Sequence, residues 1–140
     1  MHRLAAGLLL SLVVATAAHA QTQYHYDAQG RIAGSSVRSG DTIYRYDAAG
    51  RLIGSSSVAG NGTTYHYDRQ GLTGSSERGA NGAVRHYNRQ GLAGTSERGT
   101  NGTVRHYDRR GRLSGTAEPA PGGGVRRYDG TGKFSGSSTR

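Results

Sequence analysis

The sequence predicts an all-β chain of repeated antiparallel hairpins, and three observations carry that prediction. Aligned on one aromatic, Tyr26, Tyr46, Tyr67, Tyr87, Tyr107 and Tyr128 recur at spacings of 20, 21, 20, 20 and 21 residues. A fixed period of that size marks a repeat architecture. Each tyrosine is followed by Asp27, Asp47, Asp68, Asn88, Asp108 or Asp129 and then by a glycine three residues further on. That pairing is turn chemistry, because the carboxylate or amide accepts from backbone N–H groups just ahead and glycine supplies the left-handed conformation. Finally, from Gln21 onward no apolar pattern repeats every 3.6 residues, and glycine recurs too often for a helix.

The first twenty residues stand apart. Met1-His2-Arg3 is a short positive head, Leu4 to Val14 is almost wholly apolar, and Ala18-His19-Ala20 offers small residues where a signal peptidase cuts. The apolar run is too short to span a bilayer. The expectation is a signal peptide over residues 1–20, helical in its apolar part and cleaved after Ala20, with residues 21–140 as the exported, periplasmic or secreted domain.

Within that domain the unit reads strand, turn, strand. Tyr44-Arg45-Tyr46 alternates across a first strand, Asp47 to Gly50 turns, and Leu52, Gly54 and Ser56 alternate along the second. Arg31, Arg51, Arg112 or Lys133 follows the turn glycine in four units, whereas Gly71-Leu72 and Gly91-Leu92 omit it. Losing one residue would flip the leucine to the other face. The pattern survives if the cation is the extra residue of a G1-type bulge at the rim. A second glycine (Gly34, Gly54, Gly74, Gly94, Gly115, Gly136) then sits inside every second strand. Glycine there normally costs stability, so its recurrence implies close backbone approach, a bend or a shared centre. Asn61-Gly62, Asn81-Gly82 and Asn101-Gly102 are hairpin signals between units. About twelve short strands follow, arranged as a closed or nearly closed rosette of five or six hairpins.

Packing is the difficulty. Residues 21–140 contain no cysteine, methionine or tryptophan and only thirteen large aliphatic or phenylalanine side chains. Composition alone favours disorder, and only the regular spacing opposes it. On this reading the tyrosines and the leucine equivalents are assigned to the core.

Tyr-x-Tyr-Asp-x-x-Gly-Arg-Leu, met in Tyr44 to Leu52 and nearly so in Tyr24 to Ile32, resembles the YD repeat of Rhs-type and teneurin-type secreted proteins. The resemblance covers essentially the whole chain after residue 20. It implies a β-shell built from many such repeats. Six units are too few to enclose cargo, so the closer likeness is to small exported YD-like proteins folded as a flower of hairpins. Gly-Arg is missing from two units, and Arg85, Arg105 and Arg126 replace the first tyrosine in the last three.

Candidate chemistry is sparse. His25, His66, His86 and His106 precede the main tyrosine, with Arg45 and Arg127 at the equivalent places. Their spacing matches no metal motif, and ordinary alternation puts them on a solvated face. Gly130-Thr131-Gly132-Lys133 lacks the first glycine and the Ser/Thr of a phosphate loop, so it reads as a turn. Catalysis needs a unique asymmetric site, and the repeat offers none. The expectation is no enzyme, cofactor or metal, but a structural or interaction module of the bacterial envelope.

Charge supports a second reading. Residues 21–68 carry four arginines against four aspartates, whereas residues 69–140 carry thirteen Lys/Arg against five acids. Arginine forks match carboxylate and phosphate, which makes Arg85, Arg105, Arg109, Arg110, Arg126 and Arg127 candidates for holding an anion. Outside the cytoplasm the accessible partner is an anionic polysaccharide or another envelope component rather than nucleic acid.

Overall fold

The computed structural model describes residues 21–139. The expected signal segment, with its expected helix and cleavage after Ala20, therefore lies outside the described residues. Twelve strands follow one another: β1 (Gln21–Tyr26), β2 (Ile32–Ser39), β3 (Thr42–Asp47), β4 (Leu52–Val58), β5 (Thr64–Asp68), β6 (Gly71–Arg78), β7 (Val84–Asn88), β8 (Gly91–Arg98), β9 (Val104–Asp108), β10 (Leu113–Pro119), β11 (Val125–Asp129) and β12 (Phe134–Thr139). A single 3-10 turn, Pro121–Gly123, interrupts the run. Each strand pairs antiparallel with its neighbours in sequence, and β1 pairs with β12 to close the barrel. Each sequence unit supplies one hairpin, as the repeat implies.

The turns form as their residues dictate. Asp47 Oδ1 accepts from the Ala49 and Arg51 N–H groups, both at 2.9 Å. Gly50 takes φ +77°, and the Gly50 N–H donates to the Asp47 carbonyl at 3.0 Å. This is a type I turn closed by a left-handed glycine and a G1 bulge. In the shorter units Asp68 faces Gly71 directly, and Tyr67 still faces Leu72 as Tyr46 faces Leu52. The extra cation is thus absorbed at the rim, and the leucine keeps its face.

A second bulge was not legible in advance. In every hairpin the register slips at the residue before the inner glycine, so that Arg45 faces Gly54 while Tyr46 faces Leu52, leaving Ile53 unpaired. The Asn-Gly loops also differ from a two-residue hairpin. The Ala59 N–H reaches the Thr63 carbonyl at 2.8 Å, and only Gly62, not Asn61, has positive φ. Asn61 instead accepts from the Thr63 N–H at 3.0 Å.

The assignment of tyrosine and leucine to a core is overturned. Among the described residues no hydrophobic side chain is buried, and Leu52, Leu72, Leu92 and Tyr67 are exposed. Ser36, Ser56, Ser76, Ser96 and Ser138 are buried instead. These serines share one face of the wall with the inner glycines and the histidines, while tyrosines and leucines share the other. The concave face of a barrel is the less accessible one, so the Gly/Ser/His face points inward. Outside, each main tyrosine lies across from an apolar residue, as Tyr67 from Leu72 and Tyr128 from Phe134. The Tyr128 and Phe134 rings meet edge to face with centroids 5.9 Å apart. Cross-strand pairs of this kind stabilise a sheet without a second layer.

Candidate functional site

The inner face carries a girdle of polar side chains. His66 lies opposite Gly74, and its imidazole reaches the next inward residue, Ser76. Its Nε2 meets Ser76 Oγ at 2.7 Å, and its Nδ1 meets Ser56 Oγ at 2.8 Å. The same geometry links Ser76 to His86 Nδ1 (2.8 Å), His86 Nε2 to Ser96 (2.7 Å) and Ser96 to His106 Nδ1 (2.7 Å). Arg45 occupies the equivalent place on β3, lies over Gly54, and donates from Nη1 to Ser56 at 2.7 Å. Across the closing seam, Arg127 donates to His25 Nδ1 at 3.4 Å, and His25 Nε2 meets Ser36 at 2.7 Å.

The histidines are therefore not on a solvated face. They are half-buried links of an inward hydrogen-bond chain. Burial holds the His66 pKa below the usual imidazole value, helped by the neighbouring Arg45 cation and His86. Burial does the same first for His25, with Arg127 adding to it, for His86, with His106 adding to it, and for His106 alone. The serines were missed in the sequence. Their signal is a Gly-x-Ser in five of the six units, recurring ten or eleven residues after the inward histidine or arginine.

Serine and imidazole within hydrogen-bond reach is also how a nucleophile meets its base. Here each imidazole of the chain from Ser56 to Ser96 is oriented by serines on both sides rather than by a carboxylate. The contacts repeat from strand to strand, as a structural girdle does.

The six candidate arginines do not converge. Arg85, Arg105 and Arg126 stand on the outer face, in register with Glu77, Glu97 and Glu118. Arg127 points inward to His25. Arg109 and Arg110 sit on the turn between β9 and β10, where with Arg112, Asn88, Gln90, Leu92, Ala93 and Asp108 they line a concavity of about 500 Å³. This concavity lies where a short turn, Asn88 to Gly91, adjoins a long one, Asp108 to Arg112. It is also where asparagine replaces the repeat's aspartate. Arg112 is paired with Asp108 at 2.8 Å, but neither Arg109 nor Arg110 is in an ion pair among the described residues.

No group of acids, cysteines or histidines among the described residues is placed to hold a metal ion, and no helix among them is long and apolar enough to cross a membrane. Residues 46–84 match the family model described as RHS Repeat, from the end of β3 to the start of β7. No curated protein matches the chain. A repeat of this kind marks a structural or interaction module.

Proposed function

We propose that this RHS/YD-repeat-like chain is an exported structural or interaction module of the bacterial envelope, with no chemistry of its own. The observation that carries the reading is the placement of its large side chains. The tyrosines and the leucine equivalents line the outside of the barrel, with Tyr24, Tyr67, Leu52, Leu72, Leu92 and Leu113 exposed, while inward histidines and serines satisfy one another along the run from Ser56 to Ser96. A wall of this kind offers recognition outward. Expression of the full chain followed by fractionation and mass spectrometry tests export. The expected result is an exported protein beginning at Gln21, and intact Met1 in the soluble fraction would defeat the reading.

A second reading is favoured by the concavity at the long turn. Arg109 and Arg110 supply guanidinium groups, Asn88 and Gln90 supply amides, and Leu92 an apolar floor. Such a set suits an acidic saccharide of an envelope polysaccharide. Retention on heparin at physiological salt, lost in an Arg109→Gln, Arg110→Gln double variant, supports it. Indifference of the parent protein to heparin removes it and leaves the module alone.

A further inference from the structure

The inward row of serines is interrupted at Ala117. In the other five units the residue two beyond the inner glycine is Ser36, Ser56, Ser76, Ser96 or Ser138. Ala117 occupies that place on β10, where His106 lies across from Gly115 as His66 does from Gly74. The hydroxyl that would meet His106 Nε2 is therefore missing. On the far side, Arg127 stands directly across from Ala117 in the ladder.

The direction of the chain decides what His106 presents there. Arg45 can only donate, and it donates to Ser56. Buried Ser56 uses its own proton within the chain only by donating to His66 Nδ1, which puts the His66 proton on Nε2. Repeated through Ser76, His86 and Ser96, this polarity makes His106 Nδ1 an acceptor and leaves an Nε2–H donor at the break. His106 has no other hydrogen-bond partner among the described side chains, and burial favours its neutral form.

The break opens on a cavity of about 390 Å³. His106 and Ala117 line it, Val104, Val125 and Pro119 give it apolar walls, and Arg98 contributes a cation. We propose that this cavity binds a small monocarboxylate with a compact apolar body, one carboxylate oxygen taking the place of the missing serine hydroxyl and accepting from His106 Nε2–H. Arg98 offsets its charge, and the valine and proline walls take its hydrocarbon part. Glu118 on the cavity edge disfavours a dianion, which selects a singly charged ligand over phosphate. The site is independent of the outer concavity and of the envelope reading.

Isobutyrate is the probe, added to the mature chain at pH 7.5 while the ring nitrogens of the histidines are followed by NMR. Saturable shifts centred on His106, with acetate binding severalfold more weakly, are expected. Ala117→Ser restores the repeat residue and fills the position with a hydroxyl, so isobutyrate should bind at least tenfold more weakly to a protein that melts no lower than the parent. An Arg98→Gln chain should bind severalfold more weakly as a second, independent readout. Unchanged affinity in Ala117→Ser, acetate binding as tightly as isobutyrate, or shifts spread evenly over all four histidines would each overturn the proposal.

Discussion

Removing one girdle hydroxyl should cost far more than removing its neighbour on the same strand. Ser76 Oγ accepts from His66 Nε2 at 2.7 Å and donates to His86 Nδ1 at 2.8 Å, and the residue is buried. Each bond is worth about 1 kcal/mol net. Ser76→Ala forfeits two and leaves an imidazole N–H and an imidazole nitrogen facing a methyl group, which adds a further desolvation penalty of about 1 kcal/mol. A loss of roughly 2–4 kcal/mol is expected, a large share of a domain stability on the order of 5–15 kcal/mol. The melting temperature should fall on the order of 10 °C. Ser75 points outward, across from Tyr65 and Tyr87, so Ser75→Ala should stay within about 0.5 kcal/mol. Urea and thermal melts of both variants at pH 8, followed by far-UV circular dichroism, decide the matter. Equal midpoints for the two would refute the inward girdle as the source of stability.

Acid should loosen the barrel in two stages. The four histidine pKa values are lowered in the fold, so the unfolded chain binds protons first, and stability is lost as pH falls below about 6.5, the unfolded imidazole value. Asp27, Asp47 and Asp108 are held low, first by backbone N–H groups, and their contribution is lost as pH falls below about 4; a melting temperature independent of pH from 8 to 5 would count against the histidine stage. Gly74→Ala would drive a methyl into the Tyr87 carbonyl oxygen and to within 3.1 Å of its carbon, backbone that cannot rotate away, and should cost roughly 1–3 kcal/mol or more. Gly60→Ala, with nothing within 4 Å, should be neutral or slightly stabilising, and matching midpoints for the two would dismiss close strand approach. Leu72→Ala, at 48% exposed, should cost about 1 kcal/mol or less in the same melts, whereas a loss of 3 kcal/mol would restore leucine to a core.

Much of the architecture could be read directly. Asp-x-x-Gly and the recurring tyrosines locate every hairpin, because turn chemistry is local and its donors lie within four residues. The optional cation was rightly placed at the rim, since alternation forbids any other way of keeping Leu52 and Leu72 on one face. What alternation cannot tell is which face is concave. Tyr67 and His66 are neighbours on opposite sides of a strand, and hydrophobicity argues for burying the tyrosine. Twelve strands around one ring leave too few side chains to fill an interior, so the small, hydrogen-bonding face turned inward instead. The serines were hidden for a different reason. Ser56, His66 and Ser76 come from three strands, and their contact depends on the register slip beside Ile53 and Thr73, which no short motif announces. For the candidate arginines, the glutamates lying across from Arg85, Arg105 and Arg126 come from the neighbouring strand, so charge counts alone could not separate them from Arg109 and Arg110.

The seam between β1 and β12 has a kinetic consequence. Among the described residues three pairs join these strands, against five or six at most other junctions, and two long side-chain contacts cross the join, Arg127 to His25 at 3.4 Å and Gln23 to Ser138 at 3.5 Å. It is also where the first and last hairpins must find each other after every other pairing has formed between sequence neighbours. The ring is thus expected to breathe at this line, exchanging the amide protons of Tyr24 and Tyr26 sooner than those of Tyr65 or Tyr87. A barrel that opens at one fixed line has a door, and whatever enters or leaves the polar interior has a defined place to do so.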